Sequence, residues 1–282
     1  MLMQLWGFYM NKELKQIVKY ALNEDIGDGD ISAKLLDNKV ISAEVICRDE
    51  AIICGCDYFN FCFSSLDASI KIDWRVEDGS KVNPGDVICS IFGNSQAIIT
   101  AERTALNFLQ LLSAVATKTS YLVKLISNTD AKLLDTRKTI LGLRKAQKFA
   151  VQCGGGLNHR MGLYDCIMLK ENHILSIGSL EKSIEKATSK YPNMPIIVEV
   201  ETLDQIQTVL SINGITRILC DNFSTIELSM AVKLSKGIYP LEASGNINEK
   251  NIVDYAETGV DFISIGSVTK DVLSVDLSLR IS

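Results

Sequence analysis

The sequence predicts an α/β protein: a βα barrel preceded by a small α+β domain. Three changes of rhythm along its 282 residues carry that prediction. From Val40 to about Ala101, short apolar runs alternate with turn signals, the pattern of antiparallel strands. Residues 101–128 then show apolar side chains at helical spacing with no Gly or Pro. After that, strand and helix alternate, and successive strand ends lie roughly 20–35 residues apart, the length of a βα repeat. A barrel is the natural closure for such a series, and an open doubly wound sheet is the alternative.

In chain order, Asn11 to Leu22 opens as a helix. The strand-rich region follows as VISAEVICRDEAIICGC, IKIDWRV and VICSIFG, with Pro84-Gly85-Asp86 as a turn between apolar runs. The 101–128 segment is one long helix or two in succession, bridging the domains. Candidate strands are AKLLD (131–135), CIMLK (166–170), IIVEVE (196–201), RILCD (217–221), YPLEAS (239–244) and FISIG (262–266). Each is a short apolar run of the kind that a parallel sheet buries on both faces. Helical segments such as LEKSIEKATSK and LDQIQTVLSI separate them. The expected division is 1–112 as the N-terminal domain, including the start of the linking helix, and 113–282 as the barrel. The last residues are expected to pack back on the first domain.

A net charge of −5 argues against nucleic acid as a partner, so any cationic cluster must be local. The eight cysteines are scattered, and Cys54-Gly-Cys56, the one close pair, lacks the usual zinc spacing. Most others lie inside apolar runs, as buried reduced thiols do, which points to the cytoplasm. MLMQLWGFYMNKEL lacks the basic start of a secretory signal, and Met10 is as good a start as Met1. No stretch reaches the ~20 apolar residues of a membrane span.

The strand ends carry the chemistry. They deliver Asp135-Thr136-Arg137-Lys138, Lys170, Glu201, Asp221-Asn222, Ser244-Gly245-Asn246 and Ile265-Gly266-Ser267 in turn. In a βα barrel these ends converge on one mouth. Arg137, Lys138, Arg160 and Lys170 suit carboxylates and phosphates. Glu201 and Asp221 are hard oxygen ligands for Mg²⁺ or ribose hydroxyls, and fit equally well as a helix-start charge and a cap. The two small-residue turns offer backbone N–H groups to a terminal phosphate. His159 and the Gly154–Gly156 run are weak signals when taken singly, and His173 reads as structural in a loop beyond the lysine. Together the groups fit a polyanionic substrate with a sugar phosphate and Mg²⁺.

The segments ERTALNFLQ (102–110), LLDTRKT (133–139), GGGLNHRMGLYD (154–165), LKENHI (169–174), VEVET (198–202), LEASGNI (241–247) and DFISIGSVT (261–269) resemble the quinolinate phosphoribosyltransferase family, as does NEDIGDGDIS (23–32). The resemblance implies an N-terminal α+β sandwich, an incomplete, seven-stranded barrel and a homodimer with a shared active site. It implies that Arg103, Arg137, His159, Arg160 and Lys170 hold quinolinate, with Thr136 beside them. Lys138, Glu201 and Asp221 would act catalytically on phosphoribosyl pyrophosphate (PRPP) and its Mg²⁺. Residues 244–246 and 265–267 would hold the 5′-phosphate, and no organic cofactor is implied. Two departures stand out: Ile140-Leu141-Gly142 where the family commonly has Thr-Pro-Gly, and Thr269-Lys270 where it often has Thr-His. A molybdenum-transport-associated relative is the nearest rival, but it looks apolar where this chain has Lys170. A non-catalytic sugar-phosphate-binding regulator would have no reason to keep Glu201 and Asp221 beside the cations.

Overall fold

The computed structural model describes the backbone of residues 2–282 and the side chains from residue 12 onward. In chain order its elements are α1 (Leu2–Ile26), β1 (Val40–Cys47), β2 (Ala51–Ile52), α2 (Cys56–Leu66), β3 (Lys71–Trp74), β4 (Lys81–Val82), β5 (Val87–Asn94), α3 (Ser95–Leu125), β6 (Lys132–Leu134) and α4 (Arg144–Cys153). Then come β7 (Ile167–Leu169), α5 (Glu171–Ile177), α6 (Leu180–Lys190), β8 (Ile196–Val200), α7 (Leu203–Leu210), β9 (Arg217–Asp221), α8 (Thr225–Ser235), β10 (Leu241–Ser244), α9 (Ile252–Ala256), β11 (Phe262–Ser264), α10 (Ser267–Lys270) and β12 (Leu277–Ile281). Two compact units result. One comprises Met1–Lys118, Ile140–Gly154 and Asp271–Ser282; the other comprises Thr119–Thr139 and Gly155–Lys270.

The first unit is built on an antiparallel sheet in the order β12-β1-β5-β3, with β2 and β4 paired separately. Helix α2 turns Tyr58, Phe59, Cys62 and Phe63 inward. Phe59 meets Phe63 at 4.9 Å and Trp74 at 5.3 Å between ring centroids. On α3, Ala105, Leu106, Leu109 and Leu112 form one buried stripe at helical spacing. Gly55 lies at φ 111, and a Cβ there would stand 3.0 Å from the Leu112 side chain, so that turn requires glycine. Helix α1 is longer at both ends than the expected 11–22. It stops where Gly27 enters the left-handed region at φ 52 and donates its N–H to Asn23 O.

The second unit is a parallel sheet in the order β6-β11-β10-β9-β8-β7, flanked by the helices that connect its strands. All six expected strands are present, because each is an apolar run that only a sheet covered on both faces can bury. Register sets the pattern that matters for chemistry: Glu242 pairs with Leu219 on one side and Phe262 on the other. Residues alternate along each strand, so Arg217, Leu219 and Asp221 share one face of β9, as Glu242 and Ser244 share one face of β10. On the free side of β6, Leu157 forms a single parallel bridge to Leu134. The connecting helices start cleanly: Thr202 with Gln205 and Ser224 with Glu227 form reciprocal caps on α7 and α8. No helix among the described residues is long and apolar enough to cross a membrane.

Candidate active site

A pocket of about 280 Å³ opens in the second unit, lined by Thr136, Arg137, Lys138, His159, Arg160, Met168, Lys170, Glu199, Leu219, Asp221, Glu242, Ser244 and Ser264. Eight residues expected from the sequence thus converge there: Thr136, Arg137, Lys138, His159, Arg160, Lys170, Asp221 and Ser244. Glu201, Gly245, Asn246, Ile265, Gly266 and Ser267 are not among the lining residues. Arg103 is exposed on α3 in the other unit and lines no part of this pocket.

The loop after β6 is held from both ends. The Lys138 N–H donates to Thr136 Oγ1 at 3.0 Å, and Thr269 Oγ1 donates to Lys138 O at 2.8 Å. A Cβ on Gly266 would come within 2.9 Å of Lys138 Cδ, so the glycine is what lets the lysine stem pass. Beyond it, Leu141 is 93% exposed, yet the loop is tied: Ile140 N–H donates to Gln147 Oε1 and Leu143 N–H to Ile140 O. Those bonds supply restraint where the family's proline is missing.

Asp135, fully buried at the end of β6, organises the GGGLNHR segment. Its two oxygens accept from Asn158 Nδ2 at 2.7 Å and from the His159 N–H at 2.9 Å. The Arg160 guanidinium donates to Cys166 O at 3.1 Å. Burial, and then the neighbouring Arg137 guanidinium, push the Arg160 pKa down. Two guanidiniums crowded at a half-buried site suit an anion.

Lys170 caps α5, and its ammonium is paired with Glu199, one face-step along β8 from Glu201. His173 belongs to α5 rather than to a loop, and its Nδ1 accepts the Lys170 N–H at 3.2 Å, a helix-capping role. Glu201 is exposed, and its pKa is raised by desolvation and then by the Glu171, Asp221 and Glu199 carboxylates. That surplus of negative charge suits a hard cation. No group of three or more His, Cys, Asp or Glu among the described residues could hold a metal ion without help.

Asp221 is linked to the small-residue turn through Asn222, whose Nδ2 donates to Asp221 Oδ2 at 2.9 Å and whose Oδ1 accepts from Asn246 Nδ2 at 3.1 Å. Gly245 lies at φ 97, and a Cβ there would stand 2.2 Å from Asn222 Oδ1. Only glycine fits. Sequence reasoning missed Glu199, Glu242, Met168, Leu219 and Ser264 as lining residues. The signal available was period-2 spacing backwards from Glu201, Ser244, Lys170, Asp221 and Gly266.

The family model for the quinolinate phosphoribosyl transferase C-terminal domain matches residues 115–280, and the N-terminal domain model matches residues 30–113. A probable nicotinate-nucleotide pyrophosphorylase (carboxylating) of Bacillus subtilis is 35% identical, over 96% of this chain and 94% of its own. A mitochondrial quinolinate phosphoribosyltransferase (decarboxylating) of Nicotiana tabacum is 38% identical, over 95% of this chain and 82% of its own. The solved nicotinate-nucleotide pyrophosphorylase of Francisella tularensis superposes with a TM-score of 0.95 at 46% identity, covering 96% of this chain and 97% of that one.

Proposed function

Because this chain belongs to the quinolinate phosphoribosyltransferase family, we propose that its pocket joins quinolinate to the phosphoribosyl group of PRPP, giving nicotinate mononucleotide, pyrophosphate and CO₂ for NAD biosynthesis. The observation that carries this reading is the meeting of Arg137, Lys138, Arg160 and Lys170 in one cavity of about 280 Å³. Guanidinium forks pair bidentately with carboxylates, so two arginines and a lysine suit a dicarboxylate better than a monocarboxylate. On binding, a substrate carboxylate takes over the Lys170 ammonium from Glu199.

The chain's own part is positioning and charge stabilisation. Arg137, Arg160 and Lys170, with His159 beside them, hold the pyridine acid so that its nitrogen faces C1 of the ribose. Lys138 meets the departing pyrophosphate. Asp221 and Glu201 face the positive charge that develops on the ribose as the bond to pyrophosphate breaks. The same two carboxylates would hold Mg²⁺ that arrives with PRPP, and the ion would neutralise phosphate charge. The new pyridinium stabilises the carbanion left when the 2-carboxylate departs as CO₂, so no organic cofactor is required. Residues 244–246 and 265–267 would take the 5′-phosphate.

Two further readings belong to this proposal. Leu157, bridged to Leu134, would be a rudimentary seventh strand of an incomplete barrel. Arg103 would enter the pocket of a second copy in a two-fold homodimer. Arg103→Ala and Lys138→Ala proteins, each inactive alone, would then regain about a quarter of wild-type activity as refolded hybrids. Hybrids without activity would place Arg103 in its own chain's chemistry. We also assign the protein to the cytoplasm. The deciding assay is pyrophosphate release from PRPP and Mg²⁺ with quinolinate or nicotinate. Quinolinate is expected to be used far better; equal kcat/KM for the two acids would sink the assignment.

A further inference from the structure

A fully buried carboxylate lies at the floor of a pocket meant for anions. Glu242 has no exposed surface, yet it lines the cavity. Its Oε2 meets Arg217 Nε at 3.1 Å and His159 Nε2 at 3.4 Å. Burial pushes the Glu242 pKa up, but the facing imidazole, the Arg217 guanidinium and the Ser264 hydroxyl outweigh it, and the net direction is down. The acid is ionised.

A structural ion pair alone is a poor account of it. Burying two charges gains little over packing apolar groups of the same volume. A negative charge here would also oppose the anions that the pocket collects, unless it were committed elsewhere. Arg217 absorbs part of it while stacking on the Phe262 ring at 4.7 Å. The rest is directed at His159.

The imidazole has a fixed polarity. Its Nδ1 accepts the Arg160 backbone N–H at 2.7 Å, so the proton of the neutral ring sits on Nε2, facing Glu242. Asp135 grips the His159 backbone N–H from the other side. His159 is thereby held at both ends by buried carboxylates, its backbone N–H by Asp135 and its ring by Glu242, and the ring in turn holds the N–H of Arg160.

We propose that Glu242 is a positioning residue: from the pocket floor it holds His159 as the Nε2–H tautomer, and through the His159 ring it fixes the backbone that aims Arg160. Its kinetic consequence rests on the reaction proposed above, and its structural consequence does not.

The test uses the full chain and the substitution Glu242→Gln. His159 and His173 are the only histidines, so imidazole ¹⁵N spectra contain two ring systems. His173 serves as the internal reference, since its Nδ1 also accepts a backbone N–H. In the wild type both rings should be Nε2–H tautomers. Glu242→Gln removes the charge that Oε2 presents to both Arg217 and His159, so His159 should lose its single tautomer while His173 is unchanged. Glu242→Asp, which keeps the charge but withdraws it by one methylene, should do the same and covers a failure of the Gln variant to fold. Arg217→Met should lower stability yet leave the His159 tautomer in place. In the kinetic arm, KM for quinolinate should rise about tenfold, as for loss of one charged contact, with a smaller change in KM for PRPP. His159→Gln should raise it similarly, and the double variant should be no worse than the poorer single one. A wild-type His159 that is not Nε2–H, an unchanged tautomer in both Glu242 variants, or additive losses in the double variant would each overturn the proposal. If the wild type does not consume quinolinate at all, the proposed reaction fails, and the spectra alone decide the role of Glu242.

Discussion

The two units bury charge of different sign. In the first, Val45, Cys47, Phe59, Phe63, Cys89 and Ile91 are fully buried and neutral, and Lys148 is the one fully buried charge among its described residues. In the second, Asp135 and Glu242 are fully buried, Arg217 pairs with Glu242, and Lys170 pairs with Glu199. Buried thiols are alike in both. All eight are free, and burial raises Cys62 and Cys89 in the first unit and Cys220 in the second to about 12, which keeps them protonated. The second interior surrounds its charged groups with partners so that they remain charged. The first unit buries one charge, Lys148, among mostly neutral side chains, whereas the second buries two carboxylates, Asp135 and Glu242, beside its pocket.

Exchanging the type of damage tests that contrast. Phe59→Ala empties a fully buried ring site in the first unit and should cost about 3–5 kcal/mol in chemical denaturation. The surviving folded protein should keep its kcat/KM. A loss of specific activity in a protein still fully folded would break the comparison.

Lys170→Met makes the opposite cut. It leaves a substrate carboxylate and Glu199 without their shared cation, and should cost about 2–5 kcal/mol in kcat/KM. Stability should fall far less, because Lys170 is only partly buried. A folded variant that loses under about tenfold, roughly 1.4 kcal/mol, would place Lys170 outside the site.

The smallest effect is one of sign. The folded-state pKa of Glu242 lies below its ordinary 4.5, so the group adds stability that is fully present above that value. The contribution disappears as pH falls through the depressed folded value. The denaturation difference between wild type and Glu242→Gln should therefore be flat above about pH 5 and shrink in acid. A difference that grows in acid would mean that the carboxyl is held neutral.

Much of the second unit could be read from its sequence. CIMLK, RILCD and FISIG became β7, β9 and β11 because apolar runs that short have no other way to be buried. The strand-end residues from Thr136 to Lys170 met in one pocket for the same reason. Glu242 was not legible. In LEAS it reads as a polar residue near a strand end, and only the pairing of β10 with β9 and β11 turns it inward. Glu199 was hidden likewise, one alternation behind Glu201. Helix α5 was missed because none of its residues is buried, so it has no apolar face to announce it. Local signals reported periodicity well, but they could not report which partner a charge would meet across a sheet.

The antiparallel sheet of the first unit has a consequence for synthesis on the ribosome. Its β1 strand is bordered by β5, made soon afterwards, and by β12, which pairs Leu277 with Cys47 and Ile281 with Ala43. The Ser282 hydroxyl donates to Ser42 O across 240 residues of sequence. At roughly 5–20 residues per second, on the order of ten to fifty seconds of translation separate β1 from its second neighbour. For that interval the nascent chain carries Val45 and Cys47 on a strand with one unpaired edge, an invitation to pair with another chain. The nascent chain is therefore exposed to misassembly until synthesis has passed β12, the strand that covers the open edge.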